Sequence, residues 1–298
     1  MISIIITSYK EPLTVGKAIE SFLNQDIKDK YEIIVSAPDK ETCDVIKKYS
    51  KKFKQVKLFQ DEGKGKMLAL NQLFKKIKSD VLILSDGDVY VSDNSVNEIL
   101  ELFKDPKVGC VTGRPISLNS RENLFGYWSH LLLYGAHIAR LKRANTSKYF
   151  TSSGYLFAFR NLIREFQRDV PEDAIIPFIF LVDGYKLKYA PKALVYVKYP
   201  DNFKDWIDQK KRVSKAYLNL DKITYKGRKV PKMKSFLNEI LEGTFIAFNY
   251  PKSFKEFIYT LLLFPARLYM WLKTFYEAKL INKKHSDAWK QIESTKNT

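Results

Sequence analysis

The chain has 298 residues, 45% of them hydrophobic and 28% charged, which supplies a sizeable core and excludes a disordered polymer. Its net charge of +18 bears on partners rather than on fold, and it fits nucleic acid, an anionic membrane surface or a phosphate-rich substrate. The two cysteines, Cys43 and Cys110, sit in apolar stretches without a second Cys or a His at ligand spacing, so they read as reduced core thiols, not as a disulfide framework or a zinc site.

The first half of the chain alternates strand and helix. Ile2–Thr7 is a β-branched run suited to a strand covered on both faces. It has no basic flank and falls short of the roughly 7–15 apolar residues of a secretory segment, so it is read as a buried strand and the catalytic part is expected in the cytosol. Pro12 marks a possible helix start, followed by Val15, Ala18, Ile19, Phe22 and Leu23 at helical spacing. The pattern then predicts strand over Glu32–Ser36, helix over Thr42–Phe53, strand over Val56–Phe59, helix over Met67–Ile77, strand over Val81–Leu84, helix over Ser95–Phe103 and strand over Val108–Thr112. An aromatic-rich helix is expected from Asn123 to Arg143, a strand over Tyr149–Arg160, a helix over Ala174–Val182, and short strands over Lys186–Ala190 and Ala193–Val197. The fold class is therefore α/β: a mixed, mostly parallel sheet flanked by helices.

Composition changes after Pro200. Lys204 to Lys234 holds eleven Lys or Arg against three Asp, and Gly227 and Pro231 read as a linker. Beyond it lie two apolar segments, Phe236–Tyr250 and Phe254–Tyr276. The second is broken by Pro265 and Arg267 and is shorter than the about 20 apolar residues of a spanning helix. With its Trp, Tyr and Lys it reads as an amphipathic, membrane-associating element. The expected division is 1–225 catalytic and 226–298 basic linker plus helical membrane-associating region.

In open α/β sheets the ligand lies beyond the carboxyl ends of the strands. Thr7-Ser8-Tyr9, Asp39 and Asp86-Gly87-Asp88 all fall at such ends. Two carboxylates on a tight turn flanking a Gly can hold a hard cation and leave room for phosphate oxygens. Downstream stand Glu172-Asp173 at a helix start and Gln209-Lys210-Lys211-Arg212. Several of these residues have simpler readings. Asp39 also suits a helix cap, Lys66 a solvated surface lysine, and Glu172-Asp173 a pair of acids favoured by the helix dipole. His130 and His137, seven apart on the aromatic helix, share a face and suit packing or acceptor lining better than metal binding.

In this order the motifs resemble those of a family 2 glycosyltransferase with the GT-A (Rossmann-like) fold, over roughly residues 1–220, with partial similarity to cellulose- and hyaluronan-synthase catalytic domains. The resemblance implies a donor pocket of Thr7, Tyr9, Glu11, Asp39, Lys66, Asp86 and Gln209, with Mn²⁺ or Mg²⁺ held by Asp88 and Asp86. It further implies Asp173 as catalytic base, Arg212 as the cation meeting the diphosphate, and acceptor contacts from Gly154, Glu172 and Trp128. Gln209 and Arg212 match a Q-x-x-R-W signature whose Trp position is Val213 here; the change removes an aromatic platform and argues against polymer synthesis.

The expected activity is inverting transfer from a UDP- or GDP-sugar to a hydroxyl of a lipid-linked or membrane-anchored glycan at the cytoplasmic face of the cell membrane. The partners would be a nucleotide sugar and an anionic membrane surface, without nucleic acid. The alternatives are a polyprenyl-phosphate glycosyltransferase, a nucleotidyltransferase, and a non-catalytic basic protein that binds membrane or nucleic acid. A Gly-rich phosphate loop, usual in a nucleotidyltransferase, is lacking in Thr7–Pro12, and the basic stretch adjoins apolar segments rather than a reading helix.

Overall fold

The computed structural model describes residues 1–167, 170–218, 220–231, 236–277 and 293–295. The elements run β1 (Ile2–Thr7), α1 (Val15–Leu23), β2 (Tyr31–Ala37), α2 (Lys40–Lys52), β3 (Val56–Gln60), α3 (Lys66–Lys76), β4 (Val81–Asp86), β5 (Val89–Val91), α4 (Ser95–Leu102) and β6 (Val108–Ser117). They continue with α5 (Leu124–Asn145), β7 (Leu156–Arg160), α6 (Glu172–Val182), β8 (Lys186–Val197) and α7 (Phe203–Leu218). A small hairpin of β9 (Thr224–Tyr225) and β10 (Arg228–Lys229) precedes α8 (Phe236–Asn249) and α9 (Phe254–Phe275).

One eight-stranded sheet has the order β3-β2-β1-β4-β7-β6-β8-β5. The first four strands in that order are parallel, β7 is antiparallel to both of its neighbours, β6 is parallel to β8, and β5 closes the edge antiparallel. Every residue of β1 is buried. Successive side chains of a strand point to opposite faces. Ile4 and Ile6 accordingly join Ile19, Phe22 and Ile46 in one apolar layer, while Ile5 joins Leu70, Phe74 and Phe159 in the other. This double cover is why β1 reads as a continuous apolar run.

Two segments differ from the pattern-based expectation, and a third, α7, forms where the pattern assigns no element. Tyr149–Arg160 is strand only from Leu156; upstream, the backbone of Thr151–Ser153 spends its hydrogen bonds on the side chains of Arg140 and Thr112 and on the start of α6. The two short strands expected over 186–197 are one strand, β8, with a register shift against β6 between Thr112 and Arg114 absorbing the irregularity. The basic stretch after Pro200 begins as a helix, α7, because Trp206, Ile207, Ser214 and Tyr217 give it a buried side beneath its lysines. Of the expected C-terminal region, 232–235, 278–292 and 296–298 lie outside the described residues.

A third apolar cluster ties α9 to the rest. Tyr127 and Trp128 of α5 and Trp206 and Ile207 of α7 pack with Leu263, Met270 and Trp271 of α9. Arg121 grips Glu256 through two hydrogen bonds, Nε to Oε1 at 2.6 Å and Nη2 to Oε2 at 2.8 Å, and Tyr127 and Thr260 share a hydroxyl contact of 2.6 Å. Among the described residues no helix is long and apolar enough to cross a membrane.

Candidate active site

Strand register levels the site. Thr7 lies opposite Ser36 on one side and Asp86 on the other, so three parallel strands end on one rim. Thr7 Oγ1 donates to Asp86 Oδ1 at 3.0 Å. The chain then turns through Gly87, whose N–H donates to the Thr7 carbonyl at 2.9 Å. A Cβ at Gly87 would fall 2.4 Å from Ser8 Oγ and 2.5 Å from Glu11 Oε2, so only glycine fits between Asp86 and Asp88. Glu11 is buried, accepts from Ser8 Oγ at 2.8 Å and donates its main-chain N–H to Thr42 Oγ1 at 2.9 Å. Its carboxylate thus stands against the acidic turn and braces it.

Asp39 joins the first strand's loop to α2. It caps that helix, with Oδ1 accepting from Thr42 N at 3.0 Å, while Oδ2 accepts from Lys10 N at 2.7 Å. Lys10 has φ of 52°, the left-handed region, and this bond helps hold the bend beside Tyr9, whose ring lies under the Lys10 ammonium. Burial alone would raise the Asp39 carboxyl; the N–H groups of Lys10 and Thr42 overcome it and hold the group below its ordinary value. Lys10, Glu11, Asp39 and Lys40 line a cleft on this side of the rim.

Lys66, first residue of α3, links the two ends of the site. Its Nζ lies 2.7 Å from Asp86 Oδ1 and 2.7 Å from Glu172 Oε1. Burial opposes its charge, but the two carboxylates more than compensate and hold the ammonium well above the ordinary lysine value. Glu172, 6% exposed, answers differently. Burial raises its carboxyl, Lys66 pulls the other way, and the like charges of Asp173 and Asp86 add to the rise. Lys66 faces only opposite charges in this cluster, whereas Glu172 also faces two of its own sign.

Asp173, beside Glu172 at the start of α6, meets Tyr217 of α7. The phenol lies 2.7 Å from each of the two carboxylate oxygens. Burial and the Asp173 charge hold the Tyr217 phenol protonated well above its ordinary value, so it stays a donor. The Asp173 carbonyl accepts from Ser152 N at 2.8 Å, Ser153 N donates to Thr112 Oγ1 at 2.7 Å, and buried Arg140 donates to the Thr151 and Ser152 carbonyls at 3.1 and 3.3 Å. This irregular segment delivers Gly154, where a Cβ would come 3.9 Å from Glu172 Oε1 and 4.0 Å from Asp173 Oδ2.

Gln209, Val213 and Tyr217 recur at i, i+4 and i+8 and share a face of α7. Gln209 is buried, and its Oε1 has no hydrogen-bond partner among the described residues. Arg212 is exposed on the same helix. The structure therefore gathers Thr7, Glu11, Lys66, Asp86, Gly154, Glu172 and Asp173 through direct or near contacts, with Asp88 on the shared turn. Trp128 does not join them. It is 2% exposed, packs against Trp206 and donates Nε1–H to the Tyr259 carbonyl at 2.7 Å, which leaves no indole face for a sugar. His130 and His137 contact the Asn119 carbonyl and the Tyr189 hydroxyl, both packing roles. Sequence reasoning places Ser8 at the strand end without giving it a role and misses Arg140 and Tyr217. Tyr217 leaves a signal, its helical register with Gln209 eight residues earlier, in a stretch for which the pattern assigns no element.

The acidic turn fits a divalent cation by its donor set. Asp86 and Asp88 are hard oxygen ligands on a turn whose middle residue has no room for a Cβ beside Ser8 and Glu11. Among the described residues no group of three or more His, Cys, Asp or Glu could hold a metal, so an ion here would take its remaining ligands from phosphate oxygens and water.

A family model described as Glycosyltransferase like family 2 matches residues 1–216. The chain is 26% identical over 226 residues to the probable glycosyltransferase YdaM of Bacillus subtilis, covering 71% of this chain and 54% of that one. It is 26% identical over 209 residues to the poly-beta-1,6-N-acetyl-D-glucosamine synthase of Staphylococcus aureus (strain COL), covering 67% of this chain and 50% of the synthase. The chain thus spans about half the length of these curated relatives. In fold it is similar to the mannosyltransferase PcManGT from Pyrobaculum calidifontis, solved with GDP-Man and Mn²⁺, at a TM-score of 0.65 and 16% identity over 95% of this chain and 88% of that one.

Proposed function

The chain belongs to the glycosyltransferase-like family 2, and from that premise we propose that it transfers a sugar, with inversion, from a nucleoside-diphosphate donor to a glycan hydroxyl. The observation that carries the reading is the Lys66 bridge, 2.7 Å to Asp86 and 2.7 Å to Glu172, which couples the donor-side turn to the residue beside the base. The donor rests across the strand ends, against Thr7, Tyr9 and Asp39. A UDP- or GDP-sugar suits this rim, and a protein of similar fold was solved with GDP-Man. A divalent ion, Mn²⁺ or Mg²⁺, held by Asp88 and Asp86 would supply positive charge against the diphosphate leaving group.

Asp173 takes the proton from the acceptor hydroxyl as its oxygen attacks the anomeric carbon and the bond to the diphosphate breaks. Positioned general bases contribute roughly 10²–10⁴-fold. Tyr217 keeps this carboxylate oriented; Arg212 adds a cation for the departing diphosphate. Gln209 Oε1, a buried acceptor, is suited to a sugar hydroxyl. The braced carboxylate favours a hydroxyl acceptor over a polyprenyl phosphate, which needs no proton removed. The net charge of +18 supports a lipid-linked or membrane-anchored glycan, met at the cytoplasmic face of the cell membrane.

Calorimetric titration with UDP and with GDP, each with and without Mn²⁺, tests the donor site. Metal-dependent binding of one nucleotide, lost in Asp88→Ala, is the expected result. Binding that ignores both the metal and the substitution would remove the ion from the acidic turn.

A further inference from the structure

The helix α9 has two faces of opposite character. Leu263, Met270 and Thr274 turn inward and are at most 6% exposed. Phe254, Ile258, Leu261, Leu268 and Leu272 turn outward at steps of three, four and seven, one stripe along the helix. They are 79%, 38%, 41%, 47% and 60% exposed. The stripe continues onto α8, where Phe248 meets Phe264 with ring centroids 5.4 Å apart. An exposed apolar stripe of this kind, bordered by charged residues, is the mark of an interaction surface. Charge identifies the occupant. Lys255 and Lys273 flank the stripe, Lys252 precedes it, and the chain as a whole carries +18. A greasy face with a basic border complements an anionic lipid leaflet, whereas a second copy would bring the same positive charge to the contact.

We propose that the outward face of α9, with the adjoining end of α8, is an interfacial platform that seats the protein in one anionic phospholipid leaflet, the helix lying in the membrane plane. Burial of its inner face forces that orientation: a spanning α9 would have to leave Tyr127, Trp128 and Trp206 behind. The platform is also coupled to the site. α9 packs on α7 through Ser214 Oγ on Met270 Sδ at 3.5 Å and through the stacked rings of Phe203 and Tyr269. Three residues beyond Ser214, Tyr217 holds Asp173. Leaflet and base are thus joined through one helix, which sets the height at which a membrane-anchored acceptor meets the carboxylate. This last point rests on the sugar-transfer reading; the platform itself does not.

Flotation of the full chain with vesicles tests the platform. Phosphatidylcholine vesicles with about a third phosphatidylglycerol should carry the wild type upward and pure phosphatidylcholine far less. The pair Leu261→Glu/Leu268→Glu, on the exposed face, should weaken binding at least about tenfold, given what burial of leucine contributes. The native cysteines are buried, so spin labels at Phe254→Cys and Leu272→Cys report depth. Equal, shallow depths are expected. Failure of the wild type to float, equal flotation of the Glu pair, or one shallow and one deep label would overturn the proposal. So would a dimer that the Glu pair dissociates, which would assign the face to a second copy. UDP and GDP titration of the Glu pair separates the two readings: nucleotide binding should match wild type whether or not vesicles bind.

Discussion

At the scale of single residues, the site depends on groups that hold its carboxylates. Tyr217 lies 2.7 Å from both Asp173 oxygens, and a hydrogen bond to a charged group contributes about 1.5–3 kcal/mol. Tyr217→Phe should lower kcat about tenfold or more with the donor KM unchanged, while Asp173→Asn should lower it by about 10²–10⁴ at an unchanged melting temperature. Steady-state kinetics on both variants checks the ranking; a Tyr217→Phe enzyme with wild-type kcat would reduce that contact to packing. Asp39 makes a prediction in pH. Its folded value is depressed, so it contributes stability above the unfolded aspartate value of about 3.9, and the contribution is lost as pH falls through the folded value. Asn keeps the helix cap. The urea midpoints of wild type and Asp39→Asn should differ by a constant amount above about pH 5 and converge as the solution is acidified below about pH 4.

At the scale of elements, α7 is the hinge between chemistry and support. One face carries Gln209 and Tyr217, the latter against Asp173; the other carries Lys211 and Lys215, both paired to Glu277 just past α9. Burial would raise Glu277, but hydrogen bonds and charge from the two lysines hold its carboxyl down at about 2. A depressed carboxyl stabilises above its unfolded value, about 4.3, and loses that effect as pH falls toward the folded one. Glu277→Gln should therefore expose Trp271 and Trp206 to quencher more readily than wild type at neutral pH, and the difference should fade near pH 2. Equal quenching at neutral pH would show that apolar packing alone holds α9. Elements also explain where pattern reading failed. The pattern reads Tyr149–Ser153 as the start of a strand, but the backbone there is claimed by Arg140, Thr112 and the start of α6, contacts from three distant parts of the chain.

At the scale of the molecule, the sheet and the C-terminal helices share apolar surface, although the composition divides the chain near residue 225. Tyr127, Trp128 and Trp206 are each at most 2% exposed and pack with Leu263, Met270 and Trp271 of α9. A truncation removing 226–298 should uncover this cluster and yield a less soluble protein with a lower melting temperature, not a clean catalytic domain. Soluble yield and calorimetry of the truncated chain check this; undiminished stability would show that α9 is an appendage. Point substitutions on the outer face of α9 avoid the difficulty, since they leave the shared core intact.

Much of the site was legible in the chain itself, because strand ends in an alternating α/β pattern must meet on one rim, and polar residues at those ends are local features. Thr7, Asp86 and Asp88 could be found that way, as could the double-faced burial of β1, while the acids at 172–173 stood out at a helix start. The amphipathic character of 254–276 was equally local. The partners of these residues were not. That Lys66 bridges Asp86 and Glu172, residues 86 positions apart, that Tyr217 braces Asp173, and that Trp128 lies under α9 instead of at the rim all depend on which helix faces meet. Side-chain periodicity specifies that a face is apolar or charged. What that face touches is settled by the packing of the whole chain, where burial, charge pairing and hydrogen bonding must be satisfied together.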